Sequence, residues 1–107
     1  MPETLNLPGF IDRESFNELF PVFKEEVETA YQEMHEAVQQ QDYSKIKSLA
    51  HKIKGVASSL GAEELHIQAR EIEIEISEEK TEQVEIKVAE LKEKINDVIV
   101  KAGQLSF

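Results

Sequence analysis

The chain has 107 residues, of which 40% are hydrophobic and none is cysteine. This length and composition predict one domain with a single core, and they exclude a disordered tail and any disulfide or thiolate chemistry. The formal net charge of −10 argues against binding to nucleic acid, whose backbone is also negative. No apolar run approaches the roughly 20 residues that cross a bilayer, and no secretory signal is visible. We therefore expect a cytoplasmic protein without direct membrane contact.

Residues 1–10 contain Pro2, Pro8 and Gly9 and are predicted to form a flexible lead-in to a helical domain over residues 11–107. A short helix is predicted to begin near Asp12, whose carboxylate is a good N-cap. Pro21 then either kinks this helix or opens the next one, because proline fits the first turn of a helix but not its interior. From residue 22 to about residue 41 the apolar residues recur at helical spacing, and they are Phe23, Val27, Ala30, Tyr31, Met34, Ala37 and Val38.

The next predicted helix carries the most informative residue of the chain. Asp42 is its expected N-cap, and Gly61 is the glycine expected to end it. Its apolar stripe consists of Ile46, Leu49, Ala50, Ile53, Val56, Ala57 and Leu60. At about 100° per residue, His51 lies roughly 160° from the centre of that stripe, so its side chain should face solvent.

The surroundings of His51 on this helix are small and basic. Its face is shared by Ser48, Gly55 and Ser58, and its flank carries Lys47 and Lys54. No acidic residue occurs from residue 43 to residue 62, and the lysines of this segment are Lys45, Lys47, Lys52 and Lys54. A basic segment on an acidic chain is either a docking surface or an ordinary solvated helix face.

A third helix is predicted from about residue 62 to residue 77, although residues 71–76 alternate between Glu and Ile as a half-buried strand would. Helix is favoured because a lone strand would have no pairing partner. Ile67 and Ile74 then lie opposite the apolar stripe, either against the N-terminal helix or as an exposed apolar contact. A last helix is predicted from about residue 79 to residue 101. Together these elements predict an all-α fold: an up-and-down antiparallel four-helix bundle with a short extra N-terminal helix.

Several kinds of chemistry find little support in the chain. Its four glycines are scattered, so a phosphate-binding glycine loop and ATP-dependent kinase activity are not expected. No arrangement of Ser, His and acid suggests a catalytic triad. A di-metal bundle site needs two Glu-x-x-His elements, whereas only Glu63 and His66 form one. His35 and His66 are therefore interpreted as ordinary surface or boundary residues, and no metal site is expected.

His51 remains as a candidate nucleophile, because a neutral imidazole nitrogen can attack phosphorus directly. Phosphoryl transfer depends mainly on positioning and on stabilisation of charge. Lys54 lies one helical turn from His51, so its ammonium can meet the oxygens of a phosphoryl group carried there. Gly55 leaves no side chain beside the imidazole, although a glycine inside a helix costs about 1 kcal/mol relative to alanine. This glycine is better explained by the access it gives to another protein.

At these residues the chain resembles the histidine-containing phosphotransfer (HPt) family of two-component phosphorelays. The family pattern His-x-x-Lys-Gly, followed six residues later by Gly, is met by His51, Lys54, Gly55 and Gly61. The neighbouring Ala50, Leu60 and Ala62 also look like the family, and the resemblance covers about residues 11–102. Two positions depart from it: Lys52 stands where many members carry a small polar residue, and Ser59 where many carry asparagine.

The resemblance implies that His51 accepts a phosphoryl group from an aspartyl phosphate on a receiver domain and passes it to another receiver. Lys54 would stabilise the phosphoryl oxygens, and Gly55 would clear the receiver's approach. The residues expected to contact the receiver are Lys47, Ser48, Lys52 and Ser58. The chain would be a phosphohistidine carrier without a kinase or ATP site, and Mg²⁺ would belong to the receiver. Its expected partners are receiver domains and a hybrid sensor histidine kinase, and its expected state is a monomer.

Two alternatives remain at this point. The first is a helical-bundle module that docks receiver domains without relaying phosphate, against which the His-Lys-Gly arrangement argues. The second is a metal-binding bundle, which the single Glu-x-x-His element disfavours. The sequence leaves open the cognate kinase and receivers, the direction of phosphoryl flow, the signal, and whether the chain is a stand-alone protein or a module of a sensor kinase.

Overall fold

A computed structural model, which describes residues 13–105, contains four α-helices and no strand within that range. They are α1 (Arg13–Gln39), α2 (Tyr43–Leu60), α3 (Glu63–Ser77) and α4 (Val84–Leu105), and a short 3₁₀ helix, Thr81–Gln83, precedes α4. Each helix packs against its neighbours along the chain, and α4 closes the ring against α1. The predicted four-helix bundle is confirmed, because short connections force consecutive helices to run antiparallel.

The short extra N-terminal helix is not a separate element within the described residues, so this part of the prediction is wrong. A single helix, α1, continues through Pro21 from Arg13 to Gln39. Proline donates no backbone hydrogen bond, but the side chain of Pro21 is exposed and its ring needs no space in the core. Phe20 stacks on Phe16 at 6.0 Å and on Phe23 at 6.4 Å between ring centroids. Packing on both sides of the proline therefore keeps the helix continuous. The predicted lead-in and the predicted cap at Asp12 lie outside the described residues.

Both predicted ends of α2 are confirmed. The Asp42 carboxylate accepts a hydrogen bond from the backbone N–H of Lys45 at 3.2 Å, which satisfies a donor in the first turn. Gly61 has φ 81°, a left-handed conformation that costs a glycine nothing, and its N–H is 3.1 Å from the carbonyl oxygen of Ser58. These caps fix where α2 stops and therefore set its register against α3.

The alternating Glu–Ile segment is helical, as predicted, because Ile72 is buried in the bundle core while its neighbours lie at the edges of the helix. Glu71, for example, points towards α4, where Lys87 Nζ is 3.6 Å from its carboxylate. Ile67 and Ile74 are 45% and 40% exposed, which matches the exposed-contact alternative and not packing against another helix.

The start of α4 is later than predicted. Glu79 lies in a turn with φ 61°, and the 3₁₀ helix delays the first residue of α4 to Val84.

The core contains apolar side chains from all four helices, the largest fully buried ones being Phe16, Met34, Ile46, Ile53, Leu60, Leu65, Ile72 and Leu91. None of the described helices is long and apolar enough to span a membrane.

Candidate functional site

The imidazole of His51 lies on the solvent side of α2, with 70% of its side chain exposed. Its neighbours Ala50 and Ile53 are fully buried, so α2 is anchored in the core directly behind it. This orientation confirms the prediction from helical periodicity. The histidine is held on a rigid helix and remains reachable by another protein.

A carboxylate from α3 joins His51 to Lys54. Glu73 Oε2 is 2.9 Å from His51 Nδ1, and Glu73 Oε1 is 2.7 Å from Lys54 Nζ. Only 14% of the Glu73 side chain is exposed, against 25% for Lys54. The three side chains form one hydrogen-bonded group, which we call the His51–Glu73–Lys54 cluster.

Glu73 is not among the site residues predicted from the sequence, in which it belongs only to the alternating Glu–Ile segment. A signal for it was nevertheless present. Helices α2 and α3 are joined by a turn at residues 61 and 62, so residues at equal distances from this turn lie side by side. Counting outward from the turn brings His51 level with residue 72, next to Glu73. The count needs the end of α2, which the Gly61 cap supplies.

The pKa of the Glu73 carboxyl is lowered from its ordinary value. Partial burial, the largest influence, acts to raise the pKa, but hydrogen bonds from Lys54 and His51 and their charges together outweigh it. Glu73 is therefore ionised near neutral pH and acts only as a hydrogen-bond acceptor. An acceptor at Nδ1 selects the tautomer that carries its hydrogen there, which leaves the lone pair of His51 on Nε2.

Helix α3 also contacts the backbone of Lys54. His66 Nδ1 is 3.3 Å from the Lys54 carbonyl oxygen and 2.9 Å from Ser58 Oγ. His66 and Glu73 are seven residues apart and so lie on nearly the same face of α3. Together they hold Lys54 by its carbonyl and by its ammonium.

Gly55 is exposed beside His51. A Cβ added at this position would meet no atom of the described residues within 4 Å, beyond its own helix backbone and chain neighbours. Packing within the bundle therefore does not require glycine at position 55, and a Cβ here would lie in the open space outside α2.

The other residues predicted to meet a partner are all exposed on α2: Lys47, Ser48, Lys52 and Ser58. The remaining histidines do not join His51. His35 is exposed on α1 and lies 3.2 Å from the side chain of Gln39, while His66 packs beside Ser58. Within the part of the chain that the structure describes, no three His, Asp or Glu side chains are grouped so as to hold a metal ion.

The Hpt domain family profile matches residues 18–99, well over half of the chain. The chain belongs to the Hpt domain family. A solved structure with the same fold is histidine-containing phosphotransfer protein B (HptB) from Pseudomonas aeruginosa PAO1, with a TM-score of 0.80 and 21% sequence identity over 85% of this chain and 79% of that one. At this identity the likeness concerns the fold alone. No curated protein matches the chain by sequence.

As an HPt domain, the chain serves in phosphorelay histidine phosphotransfer, and the alternative of a docking module that relays no phosphate is not favoured. HPt domains interact with receiver domains and kinases, which defines the class of partner. Family membership does not by itself assign roles to individual side chains, so these rest on the geometry of the His51–Glu73–Lys54 cluster.

Proposed function

We propose that His51 is the phosphorylated residue of this HPt domain and that Nε2 is the accepting atom. The observation that carries this proposal is the hydrogen bond between His51 Nδ1 and Glu73 at 2.9 Å. It occupies one ring nitrogen and leaves the other, with its lone pair, on a side chain that is 70% exposed. A nucleophile that must meet another protein's active site needs both properties.

The transfer step follows from this arrangement. The Nε2 lone pair attacks the phosphorus of an aspartyl phosphate on the receiver, an N–P bond forms, and the P–O bond to the aspartyl carboxyl group breaks. The electron pair of that bond leaves with the aspartate as a carboxylate. The ring becomes cationic while it keeps its Nδ1 hydrogen, and the ionised Glu73 stabilises the new positive charge. The same steps in reverse pass the group to a second receiver.

Lys54 stabilises the phosphoryl group in this proposal. Its ammonium is bound to the same carboxylate as the His51 ring, at 2.7 Å, and it lies one turn further along α2. A phosphoryl group on Nε2 brings oxygens with more negative charge than one carboxylate, which draws the ammonium towards them. Glu73 thus keeps Lys54 next to the ring until the phosphoryl group arrives.

The exposed face of α2 is the docking surface in this proposal. Gly55 allows the receiver to approach the ring, while Ser48 and Ser58 offer small polar contacts on the same face. Lys47 and Lys52 attract an acidic receiver surface, an effect that salt weakens over a Debye length of about 8 Å.

The Mg²⁺ ion and the aspartate belong to the receiver. We further propose a monomer that acts in the cytoplasm and receives its phosphate through a hybrid sensor kinase.

Phosphoryl transfer from a panel of ³²P-labelled receiver domains tests the assignment of His51. His51→Gln should fold normally and take up no label, whereas the matched variant His35→Gln, which changes an exposed histidine on α1, should be labelled like the wild type. The label should be lost in acid and kept in base, as a phosphoramidate requires. A His51→Gln protein that still takes up label would overturn the assignment.

A further inference from the structure

Two serines near the end of α2 use their hydroxyl groups differently. The Ser59 hydroxyl donates to the carbonyl oxygen of Val56 at 2.8 Å, within its own helix. Ser58 Oγ is instead 2.9 Å from Nδ1 of His66 on α3. Both side chains are exposed, so exposure alone does not explain why only Ser58 is held from the neighbouring helix.

The second contact of His66 decides the direction of the hydrogen bond to Ser58. Nδ1 is also 3.3 Å from the Lys54 carbonyl oxygen, and a carbonyl oxygen can only accept. The tautomer that carries its hydrogen on Nδ1 satisfies both contacts, with this hydrogen shared between the two oxygens. Ser58 Oγ is then an acceptor towards His66, and its own O–H is not needed for either contact. In this tautomer the Ser58 hydroxyl hydrogen stays available for a partner on the surface of α2.

The position of this hydroxyl relates it to His51. Ser58 follows His51 by seven residues, which corresponds to about 10 Å along the helix and nearly the same face. Gly55 lies between them without a side chain. A protein that covers Nε2 of His51 and crosses Gly55 therefore reaches Ser58.

We propose that Ser58 and His66 form a recognition point for the receiver domain, with Ser58 donating a hydrogen bond to an acceptor on the receiver and His66 as the residue that positions it. The inference rests on the proposed function of His51 and adds to it a specificity requirement. A receiver that fits this site carries a main-chain carbonyl or a carboxylate about 10 Å from its phosphorylated aspartate, a distance that matches the separation of His51 and Ser58 along α2.

Transfer kinetics with the receiver that phosphorylates the wild-type chain fastest test this inference. Ser58→Ala should raise KM about fivefold, the range for one lost hydrogen bond, and should leave kcat unchanged. Ser58→Thr, which keeps a hydroxyl, should restore most of the affinity, and Ser59→Ala should behave like the wild type. Calorimetric binding of the same receiver, held in its phosphorylated form by beryllium fluoride and Mg²⁺, should show the same ratio in Kd.

The role of His66 requires a second comparison, because loss of a half-buried ring also affects packing. His66→Leu should raise KM as Ser58→Ala does, and the double variant should be no worse than either single one, since both remove the same contact. His66→Asn, whose amide nitrogen can take the place of Nδ1, should restore binding. Additive effects of Ser58→Ala and His66→Leu on KM, or a KM unaffected by Ser58→Ala, would overturn the inference. Neither result would contradict phosphorylation of His51. If no receiver phosphorylates the wild type, the proposed function and this inference both fall.

Discussion

The carboxylate of Glu73 lies 2.9 Å from Nδ1 of His51, although 22 residues separate them in the chain. The contact crosses from α3 to α2 and ties the exposed ring to a carboxylate that is largely buried. Because Glu73 also binds the ammonium of Lys54, one side chain orients the nucleophile and the cation that is proposed to stabilise its product.

The first prediction concerns the nitrogen that carries phosphate. Because Nδ1 is engaged by Glu73, phosphorylation should occur at Nε2. Heteronuclear ³¹P and ¹⁵N NMR of the phosphorylated chain distinguishes the two ring isomers by their couplings. A spectrum of the Nδ1 isomer would contradict the tautomer that we assign to His51.

Replacement of Glu73 should slow transfer without preventing it. Glu73→Gln keeps an acceptor for Nδ1 but removes the charge that stabilises the cationic ring, so we expect a rate about tenfold lower. Glu73→Ala should be slower still. The control is Glu71→Gln, which changes another α3 glutamate that faces a lysine, in this case Lys87 of α4. An equal loss of transfer rate in Glu73→Gln and Glu71→Gln would mean that the effect comes from any change of charge on α3 and not from the contact with His51.

Glu73 should also contribute to the pH dependence of stability. Its pKa is lower in the folded chain, so the unfolded state binds the proton more readily. The stabilisation is therefore fully present above the ordinary glutamate pKa of about 4.3 and is lost as the pH falls through the lowered value. Urea unfolding at a series of pH values should give a higher free energy of unfolding for the wild type than for Glu73→Gln. This difference should be constant near neutrality and shrink below about pH 4. A constant difference down to acid pH would contradict the ionised cluster.

Lys54 and Lys52 should differ although both lie on α2 near His51. Lys54→Ala should lower kcat, by roughly tenfold to a hundredfold, because an ammonium next to the developing phosphohistidine is lost. Lys52→Ala should act mainly on KM, and its effect should fade as salt is added, since it only attracts the receiver. Single-turnover transfer at two ionic strengths separates the two behaviours. If Lys54→Ala changed only KM, and did so in a salt-dependent way, Lys54 would not have its proposed role in stabilising the phosphoryl group.

Gly55 offers a test in which stability and function move in opposite directions. Gly55→Ala should raise the free energy of unfolding by about 0.5–1 kcal/mol, since an added Cβ has room and alanine favours helix. The same change should lower kcat/KM, and Gly55→Leu should lower it further. Gly103→Ala is the matched control, because that helical glycine in α4 also has open space around it. It should stabilise the chain, less so near a helix end, without slowing transfer.

Much of the fold follows from local signals in the sequence. The Asp42 cap and the Gly61 stop delimit α2 correctly, and helical periodicity places His51 on the solvent side. Of the two alternatives at Pro21, a new helix that begins there is wrong, because the helix propensity of one residue is weaker than the packing of Phe16, Phe20 and Phe23 on both sides of it. The start of α4 is also misjudged, since the turn at Glu79 and the 3₁₀ helix have no clear pattern.

The sequence by itself determines which helix carries the histidine, which way that histidine faces, and that a lysine and a glycine lie one turn away. These properties are periodic along one helix, so they can be read without knowing what packs against it. The tertiary structure decides that Glu73 and His66 of α3 contact α2, and hence which ring nitrogen of His51 is engaged within the bundle. Such contacts depend on the register between two helices, which the turn at Gly61 and the burial of Ile72 and Leu65 set together.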